Sequence, residues 1–123
     1  MTYKITIPGR LPGLNEIIEA NRINRFAGAK QKKDAQKLIK LCARNLPALT
    51  EPVKLEYLWV EQSRRRDWDN IMAAQKFVQD ALVDAGKLQN DGWANIIAVR
   101  HEFAVDKEHP RVEVTITEHL NQM

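Results

Sequence analysis

The chain has little cysteine, no long apolar run and no glycine-rich loop, and each shortage excludes a class of protein. A single cysteine, Cys42, excludes an internal disulfide framework and a cysteine-rich zinc site. No apolar run approaches the roughly 20 residues of a membrane-spanning helix. The lack of a glycine-rich phosphate loop argues against a nucleotide-driven enzyme. The first residues lack the apolar core of a signal peptide, so a cytoplasmic protein is expected.

Histidine content and net charge give little positive information. The three histidines, His101, His109 and His119, have no spacing typical of metal ligands. The net charge is only +3, so a partner has to be inferred from the distribution of charge and not from its total. With 123 residues, of which 44% are apolar, the chain is long enough to form one domain with its own core.

Hydrophobic periodicity predicts an α/β (α+β) fold with the order β-α-β-α-β-β. Alternating apolar residues predict four strands, over residues 2–7, 53–59, 94–103 and 111–117. Helical spacing predicts helices over 30–46 and 69–85, the second capped by Asp69 or Asn70 and ended by Gly86. Residues 14–29 have no clear period and are expected to form a polar loop or a short helix. One mixed sheet with helices packed on it, in a single domain over residues 1–123, accounts for this order.

The run RRRDWDN, residues 64–70, is the most informative stretch of the chain. Its three arginines, Arg64, Arg65 and Arg66, directly precede Asp67 and Asp69, where a strand is predicted to end and a helix to begin. Ligand sites of open α/β folds gather at the carboxyl ends of strands. Two carboxylates there suit a divalent metal held against a phosphate that the arginines grip. In the alternative, one aspartate caps the helix and the other pairs with an arginine, and the residues alone leave both interpretations open.

Two more charged residues, Lys76 and Asp91, follow this run along the chain. Asp91 adds a third carboxylate in the loop after the second predicted helix, although NDG is also a common turn sequence. If that helix runs antiparallel to the strand before it, its end lies far from Asp67 and Asp69. The loop then has to return, or a partner subunit has to supply the acid. Lys76 shares a helix face with Asp69 and either contacts a phosphate or pairs with Asp80 at i+4.

The first predicted helix carries a stripe of positive charge. Its members repeat at helical spacing with no acid between them on that arc: Lys33, Lys37, Lys40 and Arg44. An array of this kind favours contact with nucleic-acid phosphates, and a solvated helix face is the ordinary alternative. Trp68 and Trp93 flank the acids and are candidates for stacking on bases, whereas Trp59 is expected in the core.

Together these residues resemble the RusA family of Holliday junction resolvases, small endodeoxyribonucleases common in phages and prophages. The resemblance covers most of the chain and depends on four segments: ITIPGRLPGLNE, RRRDWDN, QDALVDAGKLQND and RVEVTITE. Its most specific part is the order D-x-D-N, then D-A-L, then an Asn-Asp or Asp-Asp pair in the following loop.

The resemblance implies an α/β homodimer that needs Mg²⁺, with Mn²⁺ as a substitute, and that resolves four-way DNA junctions in recombination and repair. It implies that Asp67, Asp69 and Asp91 are the metal-binding catalytic acids and that Lys76 is the catalytic lysine. The three arginines and the basic stripe would then bind DNA. One departure stands out: in many relatives the lysine lies three residues after the Asn of D-x-D-N, whereas Lys76 lies six residues after Asn70.

Two other functions remain open from the sequence. The altered spacing of Lys76 motivates a protein of the same fold that binds branched DNA and has lost catalysis. A D-x-D pair is also found in metal-dependent phosphotransfer and glycosyl-transfer enzymes, but the short chain and the missing nucleotide loop disfavour this class.

Overall fold

A mixed four-stranded sheet forms the centre of the fold in a computed structural model, which describes residues 1–119. The strands are β1 (Thr2–Pro8), β2 (Val53–Glu61), β3 (Ile96–Val105) and β4 (Arg111–Glu118). Their order across the sheet is β1-β4-β2-β3. β2 and β3 pair in parallel, and the other two pairs are antiparallel. The predicted mixed sheet is therefore confirmed, and each strand lies within about two residues of its predicted bounds.

The core lies on one face of this sheet, where alternate residues of the strands are buried. β2 contributes Val53, Leu55, Tyr57 and Trp59, each at most 1% exposed. The neighbouring strands complete this layer with Ile5, Ile7, Val112, Val114 and Ile116. Burial of side chains of this size stabilises a fold by about 1.5–3 kcal/mol each, and the period-two pattern follows from it. The prediction that Trp59 belongs to the core is confirmed.

Two helices precede β2 in the chain: α1 (Leu14–Ile23) and α2 (Arg25–Cys42). The predicted bounds of 30–46 are wrong for α2, which begins and ends earlier. Its start is fixed by Asn24, whose side chain accepts a hydrogen bond from the backbone N–H of Ala27 at 2.8 Å. Its last helical residue lies well before Pro47, so proline does not end it. Residues 14–29, which have no clear period, form α1 and the first turn of α2.

Two further helices, α3 (Trp68–Met72) and α4 (Gln75–Asp84), follow β2. The single helix predicted over 69–85 is wrong, because the chain bends at Ala73 and Ala74. The first helical segment contacts α1 and the second packs against α2. The bend allows Ile71 and Phe77 both to be buried, at 3% and 7% exposure. The cap of α3 is Asp67 and not Asp69 or Asn70, whereas Gly86 follows α4 with a positive φ of 75°, as a helix stop requires.

The order β2-α3-α4-β3 forms a parallel crossover, which fixes where the candidate site lies. Glu61, at the carboxyl end of β2, pairs in register with Val105 at the carboxyl end of β3. The turn that carries Asp67 and Asp69 leaves the sheet at this end, where ligands bind in open α/β folds. No helix within residues 1–119 has the length and apolar character needed to cross a bilayer.

Candidate functional site

Asp67 and Asp69 have exposed carboxylates that no other part of the described chain satisfies. Asp67 takes the cap position of α3, but its side chain makes no capping hydrogen bond. Within residues 1–119, neither carboxylate takes part in a salt bridge, and the nearest arginine in sequence, Arg66, binds other acids. The structural alternative of one capping and one arginine-paired aspartate is therefore not realised in this fold.

Arg66 has a role that the sequence did not indicate. Its Nε and Nη2 donate to the two carboxylate oxygens of Glu61, each at 2.8 Å, in a bidentate pair. Its Nη1 donates to the carbonyl of Leu11 at 3.2 Å and to Glu16 at 3.3 Å. The side chains of Arg66 and Glu61 are only 11% and 8% exposed. Arg66 thus joins the end of β2 to Leu11 and to the first turn of α1.

Arg64 and Arg65, by contrast, are exposed next to the two acids. Arg64 lines a cleft of about 680 Å³ together with Asp67 and Trp68. Trp68 is 67% exposed, and one face of its ring stacks on Phe103 of β3 with a centroid distance of 4.7 Å. The cleft therefore combines a cation, a free carboxylate and a flat aromatic surface, which are the groups that contact a phosphate, a metal and a base.

The start of α1 and the residues just before it support this turn, a role that was not predicted from the sequence. The side-chain oxygen of Asn70 accepts a hydrogen bond from the backbone N–H of Asn15 at 3.0 Å. Gly13 passes so close that an added Cβ would lie 2.6 Å from Asn70 Oδ1 and 2.7 Å from Arg66 Nη1. The segment PGLN of the first resembling stretch thus holds the D-x-D-N turn in place, and its glycine was the available signal.

Lys76, Asp80 and Asp91 form a second charged group. Lys76 Nζ lies 2.9 Å from Asp80 Oδ1, which confirms the predicted i,i+4 pair, and 3.7 Å from Asp91 Oδ2. The loop after α4 therefore does return along the helix. Hydrogen bonding to Asp80, with a smaller contribution from Asp91, raises the pKa of the Lys76 ammonium. The bend at Ala73 and Ala74 lies within the interval between Asn70 and Lys76.

The basic stripe on α2 lies beside this second group. A groove of about 440 Å³ is lined by Lys76, Asp80 and Asp91 on one side and by Lys32 and Gln36 of α2 on the other. An adjoining groove of about 490 Å³ is lined by Lys33, Lys37 and Lys40. The predicted stripe is not uniform, because Lys40 pairs with Asp84 of α4 and Arg44 donates to the Leu41 carbonyl. Lys33 and Lys37 have no salt bridge within residues 1–119 and remain available to phosphates.

A bound divalent metal fits part of this arrangement. Within residues 1–119, no three His, Cys, Asp or Glu side chains lie close enough together to hold an ion. Asp91 lies with Lys76 and is not grouped with Asp67 and Asp69. Those two acids nevertheless offer free, hard oxygen donors, and Mg²⁺ commonly binds through one or two carboxylates with water and substrate phosphate as the other ligands. The oxygen donors of Asp67 and Asp69 are of the type that suits the ion, and within residues 1–119 they do not form a three-acid group with Asp91.

The fold is that of a small α/β protein in which, within residues 1–119, Asp67 and Asp69 at the end of β2 and the nearby Arg64 and Arg65 form no salt bridge. A model of the family described as Endodeoxyribonuclease RusA matches residues 21–117, and the chain belongs to this family. The family comprises nucleases of the Holliday junction resolvase type, which act on branched DNA. A search of curated proteins gave no match.

Proposed function

We propose that this protein is a Mg²⁺-dependent endonuclease, with Mn²⁺ as a substitute ion, that resolves four-way DNA junctions as a homodimer in recombination and repair. One observation carries the proposal: the carboxylates of Asp67 and Asp69 are exposed and have no salt-bridge partner among residues 1–119, and the exposed Arg64 and Arg65 lie next to them in the chain. Exposed carboxylates of this kind can coordinate a divalent cation from solution, which prefers oxygen ligands.

In this proposal Asp67 and Asp69 hold the metal, and Asp91 of the same or the other subunit completes its ligands. A divalent ion in this position lowers the pKa of a bound water and polarises the scissile phosphate. Arg64 and Arg65 position the DNA backbone beside the acids, because their exposed guanidinium groups favour bidentate contact with a phosphate.

Lys76 acts as a cation and not as a base in this proposal. The nearby Asp80 and Asp91 raise the pKa of its ammonium, so the group stays protonated at neutral pH. Its side chain is 70% exposed and therefore accessible to DNA. A protonated lysine stabilises negative charge that develops on a phosphate or a leaving oxygen.

Within the basic stripe, Lys33 and Lys37 supply further phosphate contacts, and Lys40 and Arg44 add to the positive charge beside them. Such contacts give affinity that falls with salt but carry no sequence information, so the selectivity has to come from the shape of the branch. Two sites related by a two-fold axis match the two strands that are cut in a symmetrical junction.

The test uses a synthetic four-way junction and a linear duplex of matched sequence, each with Mg²⁺ or with EDTA. We expect paired cuts in the junction with Mg²⁺ only, and little cutting of the duplex. Equal cleavage in EDTA contradicts the metal mechanism. Tight, salt-sensitive junction binding without product in either Mg²⁺ or Mn²⁺ instead supports the second candidate, a branched-DNA-binding protein, which the displaced Lys76 favours.

A further inference from the structure

β3 is an open edge of the sheet. It pairs with β2 on one side, and no strand within residues 1–119 pairs with its other side. Proteins usually protect such edges with lysine or proline. The opposite edge strand, β1, has both, with Lys4 in its middle and Pro8 at its end. β3 has neither and exposes apolar side chains instead, with Ile97 46% and Val105 50% exposed.

The sequence of β3 is symmetrical in chemical type about His101. The segment is IAVRHEFAV, residues 97–105. At equal distances on the two sides of His101 lie first two residues of opposite charge, then two apolar residues, then two alanines and finally two β-branched residues. An antiparallel copy centred on His101 therefore places Arg100 opposite Glu102, Val99 opposite Phe103, Ala98 opposite Ala104 and Ile97 opposite Val105. Opposite charges and apolar pairs directly across an antiparallel ladder stabilise it.

Other registers lack this complementarity. A shift of two residues in one direction places Arg100 opposite its own copy, and a shift of two in the other direction does the same for Glu102. Like charges directly opposite each other destabilise a pair of strands. A shift of one residue turns the apolar face of one strand towards the charged face of the other. The sequence of β3 thus favours an antiparallel pair centred on His101 over pairs shifted by one or two residues.

The side chains of β3 lie on the faces that this pairing requires. Val99, His101 and Phe103 are in register with Leu55, Tyr57 and Trp59 of β2, whose side chains point into the core. Their apolar row is thus an uncovered extension of the core layer. Arg100 and Glu102 alternate with them on the other face and contact each other at 2.7 Å. Both are exposed, so each can exchange this contact for one across a two-fold axis.

We infer that β3 is the homodimer interface and that two copies pair antiparallel about His101, which joins the two sheets into one continuous sheet. This inference rests on the proposed function only in that a homodimer is expected there. The dimer is detected by its mass in solution, without DNA or cleavage. The cleft beside Asp67, which Val105 also lines, then lies at one end of the paired strands, and its symmetry copy lies at the other end.

Charge reversal at the two central positions tests the register by analytical ultracentrifugation. In the homodimer, residue 100 of each copy faces residue 102 of the other, so the dimer contains two such pairs. Arg100→Glu turns both pairs into glutamate facing glutamate, and Glu102→Arg turns both into arginine facing arginine. We expect each single variant to dimerise roughly 100-fold more weakly than wild type. An equimolar mixture of the two variants restores a heterodimer, because every facing pair is then of opposite charge. The double variant R100E/E102R is the matched control of unchanged composition and is expected to dimerise like wild type.

Each outcome decides for or against the interface. Recovery of the dimer in the mixture shows that both single variants fold, and it supports the register. The inference is overturned if wild type is monomeric, if either single variant dimerises as strongly as wild type, or if the mixture stays monomeric. Because DNA is absent from this experiment, a protein that dimerises in this way but does not cut junctions contradicts only the proposed function.

Discussion

Replacement of Arg66 by alanine removes one half of a buried ion pair. Glu61 is then left with 8% of its side chain exposed and without a cation, since the bidentate pair with Arg66 is its salt bridge. Loss of one partner from a buried pair typically destabilises a fold by about 3–5 kcal/mol. For a chain of 123 residues, 1 kcal/mol corresponds to about 4 °C in Tm, so we expect a decrease of roughly 12–20 °C.

Thermal and urea denaturation followed by circular dichroism measure this effect, with two comparisons. Arg64→Ala and Arg65→Ala remove exposed arginines of the same run and are expected to change the free energy of unfolding by at most about 0.5 kcal/mol. The double variant Glu61→Gln/Arg66→Met removes both charges and is expected to recover most of the loss. If Arg66→Ala unfolds within about 1 kcal/mol of wild type, the structural role of this arginine is refuted.

Three smaller predictions concern the packing around the site and the core. Gly13→Ala forces a Cβ to within 2.6 Å of a neighbouring amide oxygen and is expected to destabilise the fold by about 1–3 kcal/mol in urea denaturation. Gly92→Ala, whose Cβ would meet Asn95 Oδ1 at an ordinary contact distance of 4.0 Å, is expected to have little effect. Burial lowers the pKa of His101, whose Nδ1 accepts a hydrogen bond from Trp59 Nε1. The unfolded chain therefore binds the proton of His101 more readily than the folded protein does. As the pH decreases below about 6.5, we expect the Tm of wild type to fall more steeply than the Tm of His101→Gln. The same dependence of Tm on pH in both proteins would contradict this. Tyr57→Phe removes a buried hydroxyl that has no hydrogen-bond partner in residues 1–119. The urea midpoint of this variant is expected to rise by the equivalent of about 1–2 kcal/mol. A lower midpoint would show that the hydroxyl does have a partner in the folded protein.

The strands could be predicted from the sequence because their burial alternates with a period of two. Val53, Leu55, Tyr57 and Trp59 point into the core, and Lys54 between the first two is exposed, so the pattern survives without knowledge of the partner strands. The same reasoning located the turn of Asp67 and Asp69 at the end of β2.

The bend between α3 and α4 could not be predicted, because Ala73 and Ala74 favour a continuous helix locally. We attribute the break to tertiary packing, because α3 contacts α1, α4 packs against α2, and Ile71 and Phe77 both join the core. The sequence also does not indicate which of the three adjacent arginines is buried and which are exposed. Only the register at the end of β2 turns Arg66 inward to Glu61 and leaves its two neighbours exposed.

The rate of junction cleavage by single Asp→Asn variants tests most directly whether Asp67 and Asp69 form the reactive pair. Each variant is measured under single-turnover conditions with Mg²⁺, next to Asp34→Asn, which changes an exposed acid on α2 that pairs with Lys30 at 2.8 Å. We expect Asp67→Asn and Asp69→Asn to cut at least about 100-fold more slowly than wild type while binding the junction as tightly, and Asp34→Asn to cut at the wild-type rate. Wild-type cleavage by either site variant would contradict the central claim.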